Sequence, residues 1–227
     1  MKGRWISALA LGIATFVITA YFAAISPPEA AHPVPGDMRD TIVAFEMVTN
    51  EEQLAAVIGE SRTEYAELRE AIDLINRADF LYMTVYSLFI AVFFWAVAGV
   101  RDDRSWLAGC ALALLAGLAD LRETTVLLEL TQDGADTGEL IPALVLGTWV
   151  KWFALGIAAA LAGVAMFTTK SMPVLRWLGV AAGAAALTLT VAAYFYQVAF
   201  PQFMALGIFL VWLLQAVYAF RAMRTAA

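Results

Sequence analysis

Long apolar runs alternate with short polar stretches along this chain. Six runs stand out, and they cover roughly residues 5–25, 80–100, 106–128, 141–167, 177–199 and 202–220. A helix of about 20 apolar residues is long enough to cross the roughly 30 Å hydrocarbon core of a bilayer. The pattern therefore predicts an all-α fold, an integral membrane helical bundle with six transmembrane helices.

The distribution of basic residues predicts how these helices are oriented. With the N-terminus inside, the inner stretches hold eight basic residues, namely Lys2, Arg4, Arg101, Arg104, Lys170, Arg176, Arg221 and Arg224. The connection between the first two runs instead holds twelve acidic residues between Glu29 and Asp79. Because Lys and Arg collect in short cytoplasmic loops, we expect both termini in the cytoplasm and residues 26–79 outside it. The first run is longer than a signal-peptide core of about 7–15 residues, so we interpret it as an uncleaved anchor.

The pattern divides the chain into three parts. These are a first transmembrane helix over residues 1–25, an extracytoplasmic segment over 26–79 and a five-helix transmembrane bundle over 80–227. The segment begins with the proline-rich stretch SPPEAAHPVPGD, which cannot be helical, and amphipathic helices are expected after it. Gly59 is expected to end the first of them. From Arg62 nothing breaks a helix until Val100, at the end of the second run.

An apolar stripe marks the start of that long helix. Its members are Tyr65, Leu68, Ile72 and Ile75. Spacings of three and four residues place them on one helix face. Two interpretations remain open: the stripe binds a partner protein, or it packs on the preceding helix (about residues 49–58) or caps the bundle.

Three charged residues, Asp120, Arg122 and Glu123, interrupt the third run. On a helix, Asp120 and Glu123 continue a face of small residues that includes Gly117, whereas Arg122 lies among large aliphatic side chains. Small residues mark the face that meets neighbouring helices in a membrane. We therefore expect the two acids to point into the bundle and Arg122 to extend along the lipid-facing side towards the headgroups.

The fourth run carries a lysine, Lys151, on a small face that also includes Thr148. Counting about 1.5 Å per residue from the inner ends of the two runs, Asp120 lies about 21 Å and Lys151 about 24 Å above the inner boundary. A charge in hydrocarbon needs a partner. Lys151 is therefore the expected counter-ion of Asp120 or Glu123.

Other polar side chains fall at a similar depth, in the half of the bundle nearer the outside. The predicted polar cluster comprises Asp79, Tyr82, Tyr86, Asp120, Glu123, Thr148, Lys151, Tyr194 and Gln197. A carrier with alternating access should have polar groups near the midplane and beyond it. Their restriction to one half favours an outward-opening pocket or a shallow buried network.

Several kinds of chemistry are disfavoured by composition. Cys110 is the single cysteine and His32 the single histidine, so zinc sites with several such ligands are excluded. The net charge of −6 leaves no basic footprint for a nucleic acid. Two carboxylates beside a lysine form a salt bridge more often than a hard-cation site, which needs more oxygen ligands. We predict no metal and no cofactor.

The strings RADFLYMTVYSLF, AGLADLRETTVLLEL and WVKWFAL resemble a set of uncharacterised bacterial multi-pass membrane proteins. Those proteins carry an Asp before the second span, a D-x-x-E-N element in the third and a Lys-Phe-like pair at the start of the fourth. The matching positions are Asp79, Asp120, Glu123 and Lys151. Thr124 stands in place of Asn, and Trp152 in place of Phe. The resemblance covers roughly residues 41–155. It implies only that these positions act as a set. A bacterial source would place the protein in the inner membrane.

Three functions remain open for the polar cluster. The one favoured is a non-enzymatic pocket, reached from the outside, for a small ligand or lipid headgroup. The cluster can instead lock the bundle of an accessory subunit in a larger membrane complex. It can also form an intramembrane enzyme site that uses Asp120, Glu123 and Lys151, although no motif in the chain names a reaction.

Overall fold

The computed structural model describes residues 1–34, 38, 40–168, 172–196 and 200–225. Within those residues the regular secondary structure is entirely helical, as predicted. The helices are α1 (Lys2–Ala24), α2 (Thr41–Glu46), α3 (Glu51–Ile58), α4 (Ala66–Arg101), α5 (Leu107–Leu130), α6 (Thr137–Phe167), α7 (Pro173–Phe195) and α8 (Pro201–Thr225). A short 3-10 helix, Arg104–Trp106, joins α4 to α5.

The long helices form a ring in which each packs against its neighbours in sequence. α1 packs on α4, α4 on α5, α5 on α6, α6 on α7 and α7 on α8, and α8 closes the ring on α1. A continuous hydrophobic core joins them. Trp5 of α1 is fully buried there, with its ring against Phe93 and Tyr218. The first apolar run is therefore an integral part of the bundle.

Five ring helices, α1, α4, α6, α7 and α8, are long and apolar enough to cross a membrane. The remaining one, α5, has 24 residues and packs between α4 and α6. Every 18-residue stretch of α5 contains Asp120, Arg122 and Glu123, and these charges set it apart from the other five. The structure is thus consistent with a helical, multi-pass membrane protein, in which at least five helices are long and apolar enough to cross the bilayer.

The helices α2 and α3 pack across one end of the ring, which we call the capped end. Their apolar side chains, such as Phe45 and Val57, form a second core with Leu127 of α5 and Leu144 of α6. α4 also reaches this core. With 36 residues it is about 54 Å long, well beyond the roughly 30 Å of a hydrocarbon core, so its first turns are available to pack on α3.

The apolar stripe at the start of α4 faces this second core. Leu68, Ile72 and Ile75 are buried and Tyr65 is half-buried. Leu68 and Ile72 pack in the same cluster as the apolar side chains of α2 and α3. Leu68 and Ile72 therefore pack on the preceding helices α2 and α3.

Gly59 ends α3, as expected from the sequence. Its φ is 72°, a conformation that side-chain-bearing residues rarely adopt, and a Cβ there would overlap the ring of Tyr65. Arg69 of α4 then donates to the carbonyl oxygens of Ile58 and Gly59, at 3.0 and 2.6 Å. The end of α3 is thus fastened to the first turns of α4.

Glycines bring α6 and α7 into close contact. A Cβ on Gly183 would lie 2.7 Å from the backbone oxygen of Ala159, and one on Gly163 would lie 2.5 Å from the backbone oxygen of Gly179. Small residues at such positions let two helix backbones approach in a membrane. The contact fixes the position of α6, the helix that carries Lys151.

Candidate functional site

Lys151 lies at the centre of a buried charged cluster. Its Nζ is 2.6 Å from Oε2 of Glu123, 3.3 Å from Oδ1 of Asp120 and 3.2 Å from Oε2 of Glu46. Asp120 and Glu123 are three residues apart on α5 and so share the face that meets α6. The pairing expected from the sequence is present with both acids, and Arg122 is exposed on the outer side of the ring, as expected.

The second oxygen of each α5 carboxylate accepts a hydrogen bond from a hydroxyl group. The Tyr86 hydroxyl donates to Oδ2 of Asp120 at 2.6 Å, and the Thr148 hydroxyl donates to Oε1 of Glu123 at 2.9 Å. Oε2 of Glu46 and Oε2 of Glu123 each form an ion pair with the ammonium. Each α5 acid is therefore held between the lysine and one neutral donor.

Glu46 comes from outside the ring, at the end of α2. That helix is started by Asp40, whose side chain accepts from the backbone N–H groups of Ile42 and Val43. The backbone oxygen of Glu46 also lies 3.2 Å from the Thr148 hydroxyl, so main chain and side chain both contact α6. Burial raises the pKa of the Glu46 carboxyl above its ordinary value, and the Lys151 ammonium opposes that shift.

Asp79 of α4 borders the same cluster. Its Oδ2 accepts from the Thr124 hydroxyl at 2.9 Å. Among the described residues, no lysine or arginine nitrogen comes within 4.0 Å of it, in contrast to Asp120 and Glu123. Nearby, the hydroxyls of Tyr82 and Thr19 lie 3.1 Å apart and link α4 to α1.

A cavity of about 340 Å³ lies beside these groups. It is lined by Thr19, Glu46, Asp79, Tyr82, Tyr86, Asp120, Lys151, Trp152, Leu155, Ala205, Leu206, Ile208, Phe209 and Trp212. Small-molecule sites have volumes of about 300–1,000 Å³ and combine apolar walls with a few polar groups. The cavity has both properties.

Aromatic rings form much of the cavity wall. Tyr86 stacks on Trp212 with ring centroids 5.2 Å apart, and Tyr82 meets Tyr86 edge to face at 5.5 Å. Nζ of Lys151 lies 4.9 Å from the centre of the Trp152 ring. The ammonium therefore lies within the range of a cation–π contact with this ring.

One predicted member, Tyr194, does not contribute to the cluster. Tyr194 of α7 is 45% exposed and packs edge to face on Trp149 and Phe153 on the outer side of α6. The close glycine contacts between α6 and α7 fix α7 in this position. Gln197 lies outside the described residues. The other predicted members, Asp79, Tyr82, Tyr86, Asp120, Glu123, Thr148 and Lys151, are brought together.

Sequence reasoning missed three contributors: Glu46, Trp152 and Trp212. Glu46 stands in a short polar segment, where no periodicity relates it to a transmembrane helix. Trp212 lies in an apolar run whose few other polar side chains, Gln202, Gln215 and Tyr218, do not mark it as part of a site. The sequence signal that could have identified Glu46 is its position as the acid that ends the amphiphilic stretch TIVAFE.

Comparisons with protein-family models, with curated proteins and with solved structures found no match to this chain. Its chemistry must therefore be inferred from the arrangement itself. A buried ammonium among several carboxylates, beside an aromatic cavity, can bind a polar group of a small molecule and accommodate its apolar part.

Proposed function

We propose that this chain is a non-enzymatic integral membrane protein whose cavity binds a small ligand, or the headgroup of a lipid, from the extracytoplasmic side. It has six transmembrane helices, α5 being the sixth, and both termini are cytoplasmic. The capped end and residues 26–79 face outward from a bacterial inner membrane. The observation that carries the proposal is the cavity of about 340 Å³ at the charged cluster.

The charges of α5 are compatible with a transmembrane position. Asp120 and Glu123 are buried and paired with Lys151, and ionisable groups within a membrane are tolerated when they are paired in this way. Arg122 is exposed and long enough to reach the headgroup region. The basic residues of the described short loops support the orientation, because Arg101, Arg104 and Arg176 lie at the helix ends opposite the cap.

Native mass spectrometry of gently extracted protein tests the proposal. We expect a stoichiometric small adduct on the wild type and its loss in Lys151→Met, because the cation holds the polar side of the site together. Trp212→Leu changes the cavity wall without changing any charge and should also lose the adduct. Arg122→Met, which removes an exposed cation from a ring helix, is the matched control and should keep it.

A wild-type chain without any adduct would contradict the proposal and leave the cluster with a structural role. An adduct that survives both cavity variants would show that the ligand is bound elsewhere. A co-purifying protein in place of a small molecule would favour the accessory-subunit function instead.

A further inference from the structure

The carboxylates around the cavity outnumber the basic groups. Glu46, Asp79, Asp120 and Glu123 surround the single ammonium of Lys151 among the described residues. Four carboxyl groups therefore share one cation. Uncompensated negative charge in a low-dielectric interior is costly, so a further positive charge at this site is favoured.

Asp79 is the carboxylate available to such a charge. Lys151 is already within 3.3 Å of Asp120, Glu123 and Glu46. Asp79, by contrast, accepts from the Thr124 hydroxyl on Oδ2 and pairs with no lysine or arginine among the described residues. Asp79 also lines the cavity. Its position next to Tyr82, one turn along α4, places it beside an aromatic face.

The walls of the cavity favour an organic cation over a metal ion. Tyr82, Tyr86, Trp152 and Trp212 contribute aromatic faces, which attract alkylammonium groups through their negative π surfaces. Hard cations such as calcium need about six to eight oxygen ligands. The remaining walls are largely aliphatic, with Leu155 among them, and suit an apolar substituent.

Trp152 supplies an independent indication of a ligand. Its side chain is 9% exposed, and its ring forms part of the cavity wall. The indole nitrogen Nε1 is buried and has no hydrogen-bond partner in the part of the chain that the structure describes. Buried donors of this kind normally have an acceptor, so a ligand with an oxygen atom near its ammonium group would satisfy it.

We propose that the ligand of this cavity is a lipophilic amino alcohol or a similar amine with a nearby oxygen. Its ammonium group pairs with Asp79, its oxygen accepts from Trp152, and its apolar body lies against Trp212 and Leu155. The inference rests on the function proposed above and specifies its ligand class. A free amine and an amine-bearing lipid headgroup share this chemistry.

Isothermal titration calorimetry on the full chain in phosphatidylglycerol nanodiscs, which hold no lipid amine, tests the inference. The probe is 2-amino-1-phenylethanol, and 1-phenylethane-1,2-diol is its neutral analogue. We expect saturable one-to-one binding of the amine, with the diol at least about tenfold weaker because it lacks the charge. A diol that binds as tightly as the amine would overturn the inference.

Variants locate the two polar contacts. Asp79→Asn should abolish the preference for the amine over the diol, whereas Glu129→Gln, which neutralises an exposed acid on α5, should leave it unchanged. Trp152→Phe should remove the advantage of the amino alcohol over 2-phenylethylamine. A preference that persists in Asp79→Asn overturns the assignment. If that variant fails to fold, the comparison of amine with diol on the wild type decides.

The two proposals can fail separately. If the wild type carries an adduct in mass spectrometry but binds no amine, the proposed function stands and the amine inference is wrong. If it carries no adduct and binds no amine, both are wrong. Where the amine does bind, adding phosphatidylethanolamine to the nanodiscs shows whether the natural ligand is a lipid or a free amine. Weaker binding of the probe in its presence indicates a lipid headgroup, and unchanged affinity of the probe indicates a free amine.

Discussion

At the scale of single residues, Lys151 determines how the charges in this bundle are compensated. Three carboxylates from two different helices point at its ammonium group, and they would otherwise repel each other in the interior. The pairing with Asp120 and Glu123 could be predicted, because helix spacing and depth are periodic properties of the sequence. The contact with Glu46 could not, because the packing of α2 depends on tertiary contacts.

Replacing Lys151 by Met should strongly destabilise the protein. The change leaves Asp120, Glu123 and Glu46 buried without a cation, and breaking a buried pair in this way costs about 3–5 kcal/mol. The free energy of unfolding in bicelles measures the effect. Arg122→Met is the control and should change it by about 0.5 kcal/mol or less, since Arg122 is exposed. Equal effects of the two substitutions would mean that the cluster contributes no stability.

Glu46 should make stability depend on pH. Because burial raises the pKa of its carboxyl above the ordinary 4.5, the folded state holds this proton more tightly than the unfolded state. The stability that Glu46 contributes is fully present below the pKa of its carboxyl in the unfolded state. It is lost as the pH rises through the higher pKa of the folded state. The free energy of unfolding measured between about pH 4 and 7 should therefore fall more for the wild type than for Glu46→Gln. Parallel curves for the two proteins would contradict this assignment.

At the scale of helices, the sequence predicts which face of each helix is polar or small, but not which neighbouring helix that face packs against. The small face of α5 does carry Asp120 and Glu123 inward. The polar positions of α7 were expected to join them, yet Tyr194 packs on the outer side of α6. Periodicity defines the faces of a helix, whereas the close approach of two backbones decides its rotation in the bundle.

Gly183 tests that close approach. In Gly183→Ala the added Cβ would lie 2.7 Å from a backbone oxygen of α6, which cannot move as a side chain can. Overpacking of this kind costs about 1–3 kcal/mol, and we expect that loss in the free energy of unfolding. Gly3→Ala is the matched control, because a Cβ there meets nothing within 4 Å. A neutral effect at Gly183 would mean that α6 and α7 do not pack this tightly.

At the scale of the whole molecule, six apolar runs became a ring of six helices with a capped end. The number of runs and the helical character of the chain could be predicted, because both depend on length and composition. The cap could not, because it forms where α2 and α3 pack on α4, α5 and α6. The aromatic cavity could not either, because its walls come from α2, α4, α6, α8 and their neighbours in the ring. The proposed function depends on the cavity being reached from the outer side.

Thiol labelling with a membrane-impermeant maleimide on intact cells tests that claim most directly. In a Cys110→Ser background, Thr19→Cys places a thiol in the cavity wall, while Ala135→Cys and Asp103→Cys mark the two ends of the ring. We expect labelling at positions 19 and 135 and protection at 103 until the cells are permeabilised. Protection at 19 in cells that label at 135, or labelling at 103 in intact cells, would contradict access from the outer side.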